Sequence, residues 1–271
     1  MIPKLKDFLD LLEQVAPARF AEPWDNPGLQ VGSYYQEVRK IFLALDPTLK
    51  ALTSASKTGA QVLLTHHPLI FKPISRLEIH GYPQNVIFQA VKSEISVVAA
   101  HTNLDVAKGG MNDILAHMLE LQHVEVLSKT DEDKGVGLGR IGDLPEPTEF
   151  SSVVSSIKKV LRVEKPGLVG QGDRLVRRLA VVAGSGGSLV PLASKKGADL
   201  LLTGDVSHHH ALEAESLGIA LIDGGHFHTE KAAFRNFAGR LREMLTGKGW
   251  EITVEVYEDE TSPIHYSCEF S

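Results

Sequence analysis

Cysteine is almost missing from this chain: the one residue, Cys268, stands three positions from the C-terminus. A lone thiol excludes an intrachain disulfide framework. An excess of positive charge is missing as well, with 28 Lys and Arg against 34 Asp and Glu, a net charge of −6 and a pI near 6.1. No global basic field invites nucleic acid, which is disfavoured as a partner. Long apolar runs are also wanting: none reaches the about 18 residues of a membrane helix. The start, Met1-Ile-Pro-Lys-Leu-Lys-Asp7, reads as amphipathic rather than as a signal peptide, so no membrane partner is expected and the cytoplasm is the expected compartment. What remains is a 271-residue chain, 43% hydrophobic and 23% charged, with room for one large or two medium α/β domains.

Along the chain, strands alternate with helices. Lys4 to Val15 has a helical face of Leu5, Phe8, Leu9, Leu12 and Val15. Pro17 to Gly32 is rich in Pro, Gly and Asn and reads as a loop holding Trp24, either a structural turn or a site rim. Apolar strands follow at 40–45, 62–64 and 95–100, with helices to Lys57, through Lys92 and over 111–121. The charged, glycine-rich stretch 127–147, including Asp131 to Lys134, reads as a crossover with a short strand near 138–141. Beyond it come a helix over 151–161, strands at 179–183, 200–202 and 219–222, helices over 208–217 and to Leu245, and an alternating edge strand at 250–257. This order means βαβ units and mainly parallel sheets. The polar candidates sit just after strands, in the crevice where open α/β sheets bind ligands.

The chain also repeats itself. At an offset of 138, Ala55 to Thr65 falls on Ala193 to Thr203 with eight identities in eleven positions. The register runs back without a gap, placing 41–45 on 179–183, while 90–98 match 214–222 at an offset of 124. The first half therefore carries 14 extra residues around Phe71 to Tyr82. Two similar α/β lobes from an internal duplication are expected, 1–127 and 128–271, with the C-terminal helix and strand free to pack back on the first. Their strand ends would converge on one cleft.

The chemistry is concentrated at those ends. In Leu221-Ile-Asp-Gly-Gly-His-Phe-His-Thr-Glu-Lys231, His226 and Glu230 are four apart and stack on one helical face. His66 and His67 follow a buried strand and precede Pro68; Asp105 comes four residues after His101, behind the next strand. Three imidazoles and two carboxylates on one rim suit Zn, Mn or Fe rather than an all-oxygen site. Five protein ligands exceed the needs of one catalytic ion with an open position, but fit two ions sharing a bridging carboxylate or hydroxide. Such a cluster stays positive, lowers the pKa of a bound water and attracts an anionic small molecule. His101 and His209 are candidates for support of the ligands or for proton transfer. The Gly184 to Ser188 turn is a weak candidate for a phosphate cradle.

Six blocks in order, Asn26-Pro-Gly-Leu-Gln-Val-Gly32, Leu64-Thr-His-His-Pro-Leu-Ile70, His101-Thr-Asn-Leu-Asp105, Gly184-Ser-Gly-Gly187, Thr203-Gly-Asp205 with His209, and Gly225-His-Phe-His-Thr-Glu230, resemble the Nif-three-like family of dinuclear-metal proteins, the GTP cyclohydrolase type-two homologues. The resemblance spans nearly the whole chain. It implies two metals held by His66, His67, Asp105, His226 and Glu230 between two similar lobes. It also implies a ring-shaped homo-hexamer, a trimer of dimers, in the short form without a mid-chain domain. The first reading of the site is a metal-dependent hydrolase, in which a hydroxide held by both ions would attack carbon or phosphorus with His101 or His209 moving protons. By the family label the target is the imidazole ring of GTP; a phosphoester or other phosphorylated small molecule is the simpler alternative. A non-catalytic metal-handling or scaffold ring is the competing expectation.

Overall fold

The computed structural model describes residues 2–130, 135–170 and 174–264. Asp131 to Lys134 of the charged crossover, and Cys268, lie outside the described residues. In chain order the elements begin with α1 (Leu5–Val15), β1 (Gly28–Val31), β2 (Lys40–Ala44), α2 (Leu49–Lys57), β3 (Val62–Thr65), α3 (Gln84–Lys92), β4 (Ser96–Ala99) and α4 (Thr102–Val106). They continue with α5 (Met111–Met118), β5 (Gln122–Lys129), β6 (Gly137–Glu149), α6 (Phe150–Leu161), β7 (Gly167–Val169), β8 (Leu175–Ser185), α7 (Val190–Lys195), β9 (Leu200–Gly204), α8 (His208–Leu217) and β10 (Ala220–Asp223). The last are α9 (His226–Gly247) and β11 (Thr253–Val256).

The chain divides into two compact units, 1–107 with 234–260, and 108–233 with 261–271. In the first, the strand order is β1-β4-β3-β2-β11. All neighbours are parallel except β1, which runs antiparallel to β4. The pairing of Thr253 with Lys40 seats the C-terminal strand on this sheet. In the second the order is β5-β6-β8-β9-β10-β7, with a parallel core of β8, β9 and β10 flanked by antiparallel strands.

The duplication is written into the hydrogen-bond register. Ile41 pairs with Val62 and Leu179 with Leu200, both 138 residues on; Val62 pairs with Ser96 and Leu200 with Ala220, the second partner 124 on. Side chains follow suit. Gln61 Oε1 accepts the amides of Arg39 and Lys40, each at 2.9 Å, and Asp199 Oδ2 accepts those of Arg177 and Arg178 at 2.7 and 2.9 Å. The apolar cores match in turn. Phe42, Leu52, Leu63, Ala90 and Val97 in the first unit stand where Ala180, Val190, Leu201, Ala214 and Leu221 stand in the second. The central parallel strands β3, β4 and β9 are buried along their whole length, which is why the sequence reads there as continuous apolar runs rather than alternating ones.

Some local expectations shift. On α1 the buried face is completed by Leu11, while Leu9 is only partly covered. Gly28 to Val31, read as loop, is an edge strand, because Gly28 at φ +97° redirects the chain antiparallel along β4. The described parts of the crossover belong largely to β5 and β6, paired antiparallel, which are longer than the short strand expected. Its glycine spacing hides it: Gly137 at φ +152° faces Ser128 O so closely that an added Cβ would sit 2.1 Å away.

Candidate metal centre

In the first unit three imidazoles meet. His66 and His67 leave the end of β3, and His101 leaves the end of β4, parallel to it. Ring centroids are 5.1 Å apart for His66–His67, 5.2 Å for His66–His101 and 5.5 Å for His67–His101. One nitrogen from each lies within 4.8 Å of the others, the spacing of a metal-ligand set. Asp105, in the short helix α4, places Oδ1 3.6 Å from His66 Nε2. The turn is fixed by the backbone: Thr65 Oγ1 donates to His67 O at 2.7 Å, and His67 N to Leu45 O at 3.0 Å.

Each ring is oriented through Nδ1. That of His66, fully buried, donates to Ala100 O at 2.8 Å; that of His67 donates to Asp46 Oδ1 at 2.7 Å. His101 Nδ1 donates to Asp25 Oδ1 at 2.8 Å, and Asp25 Oδ2 accepts the Thr102 amide at 3.1 Å and the Thr102 hydroxyl. A proton on Nδ1 leaves the lone pair on Nε2, the tautomer a metal needs. Burial alone would raise the Asp25 carboxyl; hydrogen bonds from His101 and Thr102 more than reverse it, to about 2. Asp25 belongs to the Trp24 loop, and Trp24 lies 6.0 Å from His101 and 5.7 Å from Phe71. The loop thus lies against the histidine cluster through Asp25 and Trp24. The Tyr82 phenol is pushed up by desolvation first and then by the charge of Asp46.

In the second unit, His226 and Glu230 share the first turns of α9, with Nε2 and Oε2 3.1 Å apart. Asp205, after β9, sits 2.6 Å from His226 Nδ1 and repeats the carboxylate-behind-imidazole arrangement. It does so at φ +53°, a conformation that Asp tolerates better than most residues. The hydrogen bond to Glu230, against the opposing effect of burial, and the pull of both carboxylates raise His226 to about 9. Two glycines make room. An added Cβ on Gly204 would lie 2.4 Å from the His226 amide nitrogen, and on Gly184 (φ +68°) 2.2 Å from Glu230 Oε1. The Gly184 amide donates to Thr229 Oγ1 at 3.0 Å, so the first amide of this turn is occupied within the chain.

His209 lies exposed in the first turn of α8, its ring 5.9 Å from that of His208. Among the described residues it makes no hydrogen bond or ion pair with His226 or Glu230. His101, by contrast, stands among the candidate ligands themselves. The carboxylates Asp25 and Asp46 escape a reading of the sequence. Their signal is faint, an Asp beside a proline-containing turn in Trp24-Asp-Asn-Pro27 and Asp46-Pro47.

The donors could hold a metal ion: imidazoles whose Nδ1 is engaged, leaving Nε2 for a cation, with nearby carboxylates. Fold and site define a duplicated α/β protein with histidine–carboxylate groups suited to metal. The sequence model of Duf34/NIF3 (NGG1p interacting factor 3) matches residues 3–263, and the chain belongs to that family. A GTP cyclohydrolase 1 type 2 homolog of Clostridium perfringens is 33% identical over 242 residues, covering 89% of this chain and 92% of that one. The GTP cyclohydrolase 1 type 2 of Helicobacter pylori (strain 26695) is 35% identical over 255 residues, covering 94% and 97%. The crystal structure of a Bacillus cereus protein related to NIF3 superposes with a TM-score of 0.93 at 27% identity, covering 98% of this chain and all of that one. No helix among the described residues is long and apolar enough to cross a membrane.

Proposed function

We propose that this chain is a metal-dependent hydrolase of nucleotides or other phosphorylated small molecules, with His66, His67, Asp105, His226 and Glu230 holding two divalent ions. The observation that carries the reading is the repeated backing of imidazoles: His67 and His226 rest Nδ1 on a carboxylate at 2.7 and 2.6 Å, which leaves Nε2 for a metal, and His101 rests Nδ1 on Asp25 at 2.8 Å, which leaves its Nε2 for a proton. Bound ions of this kind acidify water and neutralise charge on a substrate. His101 is the proton carrier: Nε2 takes the proton, and Asp25, fully inaccessible as a side chain, stabilises the resulting imidazolium. His209, exposed, is a second carrier on the solvent side. The names of the relatives favour a purine nucleotide as substrate. We place the protein in the cytoplasm as a homo-hexamer, a reading that a solution mass of one 29.5 kDa chain would overturn.

The test is metal analysis of protein purified without added metal, followed by a panel of nucleotides and phosphoesters. Two ions per chain, and turnover abolished in His67→Ala with the fold retained, are expected. Tight metal exchange with no turnover across the panel would instead identify a metal-handling or scaffold protein.

A further inference from the structure

The two repeats make the same crossover at very different length. In the second, three residues, 205–207, join β9 to α8. In the first, eighteen residues, 66–83, join β3 to α3, although α3 and α8 begin at equivalent positions, 84 and 208, an offset of 124. The topology does not need the extra chain, and connections of such length usually carry function. These residues line a cavity of about 600 Å³, within the range of small-molecule sites. It lies beside the histidine cluster, since Pro68 and Leu69 of its wall directly follow His67. Its near end is pinned to the rim: Ile70 N donates to Gln30 Oε1 at 3.0 Å and Ile70 O accepts from Asn26 Nδ2 at 2.6 Å.

The lining has a definite chemistry. Lys72 and Arg76 bring two cations, Glu78 is the single acid, and neither cation makes an ion pair among the described residues. Phe71 and Tyr82 are exposed rings at 46% and 60%, and Trp24 bridges Phe71 to His101 at 5.7 and 6.0 Å. Exposed aromatics beside unpaired cations are what a ring bearing a phosphate requires.

We propose that the 66–83 connection is the recognition pocket for an aromatic-ring monophosphate, Lys72 and Arg76 pairing with the phosphate and Phe71 with Trp24 holding the ring, so that the scissile end reaches His67 and His101. The catalytic half of that statement rests on the function proposed above; the pocket itself does not.

The experiment therefore uses the full chain stripped of metal with chelator. Trp24 fluorescence is followed in a Trp250→Phe background, which leaves a single indole since the chain has two. The probes are the four common nucleoside monophosphates, the matching nucleosides and inorganic phosphate. At least one monophosphate is expected to quench Trp24 saturably and to bind tighter than either its nucleoside or phosphate alone. Lys72→Ala with Arg76→Ala should weaken it at least tenfold, and Lys72→Glu with Arg76→Glu should abolish it. Metal content after reloading should match the parent in both. Absence of binding by all four monophosphates, or unchanged affinity in the double variants, overturns the pocket. A parent chain that takes up no metal yet binds a monophosphate would overturn the hydrolase reading alone.

Discussion

Gly184→Ala probes Glu230, the proposed carboxylate ligand, without replacing it. Two costs are separable. The first is conformational: Gly184 sits at φ +68°, where a Cβ costs about 1–2 kcal/mol. The second is steric. The new methyl would stand 2.2 Å from Glu230 Oε1 and 3.1 Å from its Cδ, so the carboxylate oxygen has to retreat by more than about 1 Å to reach ordinary contact. Glu230 is only 3% exposed, leaving it little room. Metal–oxygen bonds tolerate about 0.2 Å, and a displacement several times larger removes the oxygen from the ion. Gly197→Ala is the control, at φ +77° with nothing within 4 Å of the added atom. Urea unfolding of metal-free protein should show Gly197→Ala losing about 1–2 kcal/mol from backbone strain and Gly184→Ala losing that plus the cost of displacing the buried Glu230 carboxylate. Metal titration should separate them, Gly197→Ala unchanged and Gly184→Ala weaker by about 10–100-fold, the usual effect of disturbing a ligand's support. Equal metal affinity in the two variants would refute the assignment of Glu230 as a ligand held by this turn.

The raised His226, at about 9, sets a pH dependence in the metal-free protein. Its stabilising contribution is complete below the unfolded value near 6.5 and is lost as pH rises through about 9, so denaturation midpoints should fall across that window and flatten in Glu230→Gln. Metal must displace the same proton, so apparent metal affinity should climb over the same range; a pH-independent affinity would contradict this. Asp25 has the opposite sign: held at about 2, it stabilises above the ordinary carboxylate value and loses that contribution as pH falls through 2. Asp25→Asn should cost about 1–3 kcal/mol, the penalty for mispaired buried donors, and should lower turnover more than metal content. Unchanged stability in that variant would remove Asp25 from its place behind His101.

What could be read in the sequence was whatever repeats or follows a strand. The offset of 138 in sequence reappears as the same offset in the pairing of Ile41 with Val62 and Leu179 with Leu200. Hydrophobic burial on both faces of a parallel strand leaves an uninterrupted apolar run, and such runs are hard to misplace. The edges were harder. β1 holds Gly28 and pairs on one side only, and β6 is interrupted by glycines and prolines; neither composition resembles a strand, because tertiary pairing rather than propensity decides them. The same holds for Asp25 and Asp46. A carboxylate that serves a histidine 76 or 21 positions away leaves no periodic trace.

Comparison of the repeats separates scaffold from chemistry. Gln61 and Asp199 perform one task with two side chains, capping the amides of 39–40 and 177–178, and there the physics asks only for an oxygen at the right distance. At the strand ends the same framework diverges. His66 and His67 correspond to Gly204 and Asp205, so one repeat offers imidazoles where the other offers a close-packed glycine and a carboxylate that orients His226. Divergence after duplication supplies both kinds of donor from one backbone plan. The 14 additional residues of the first repeat extend this divergence to the cavity that follows His67.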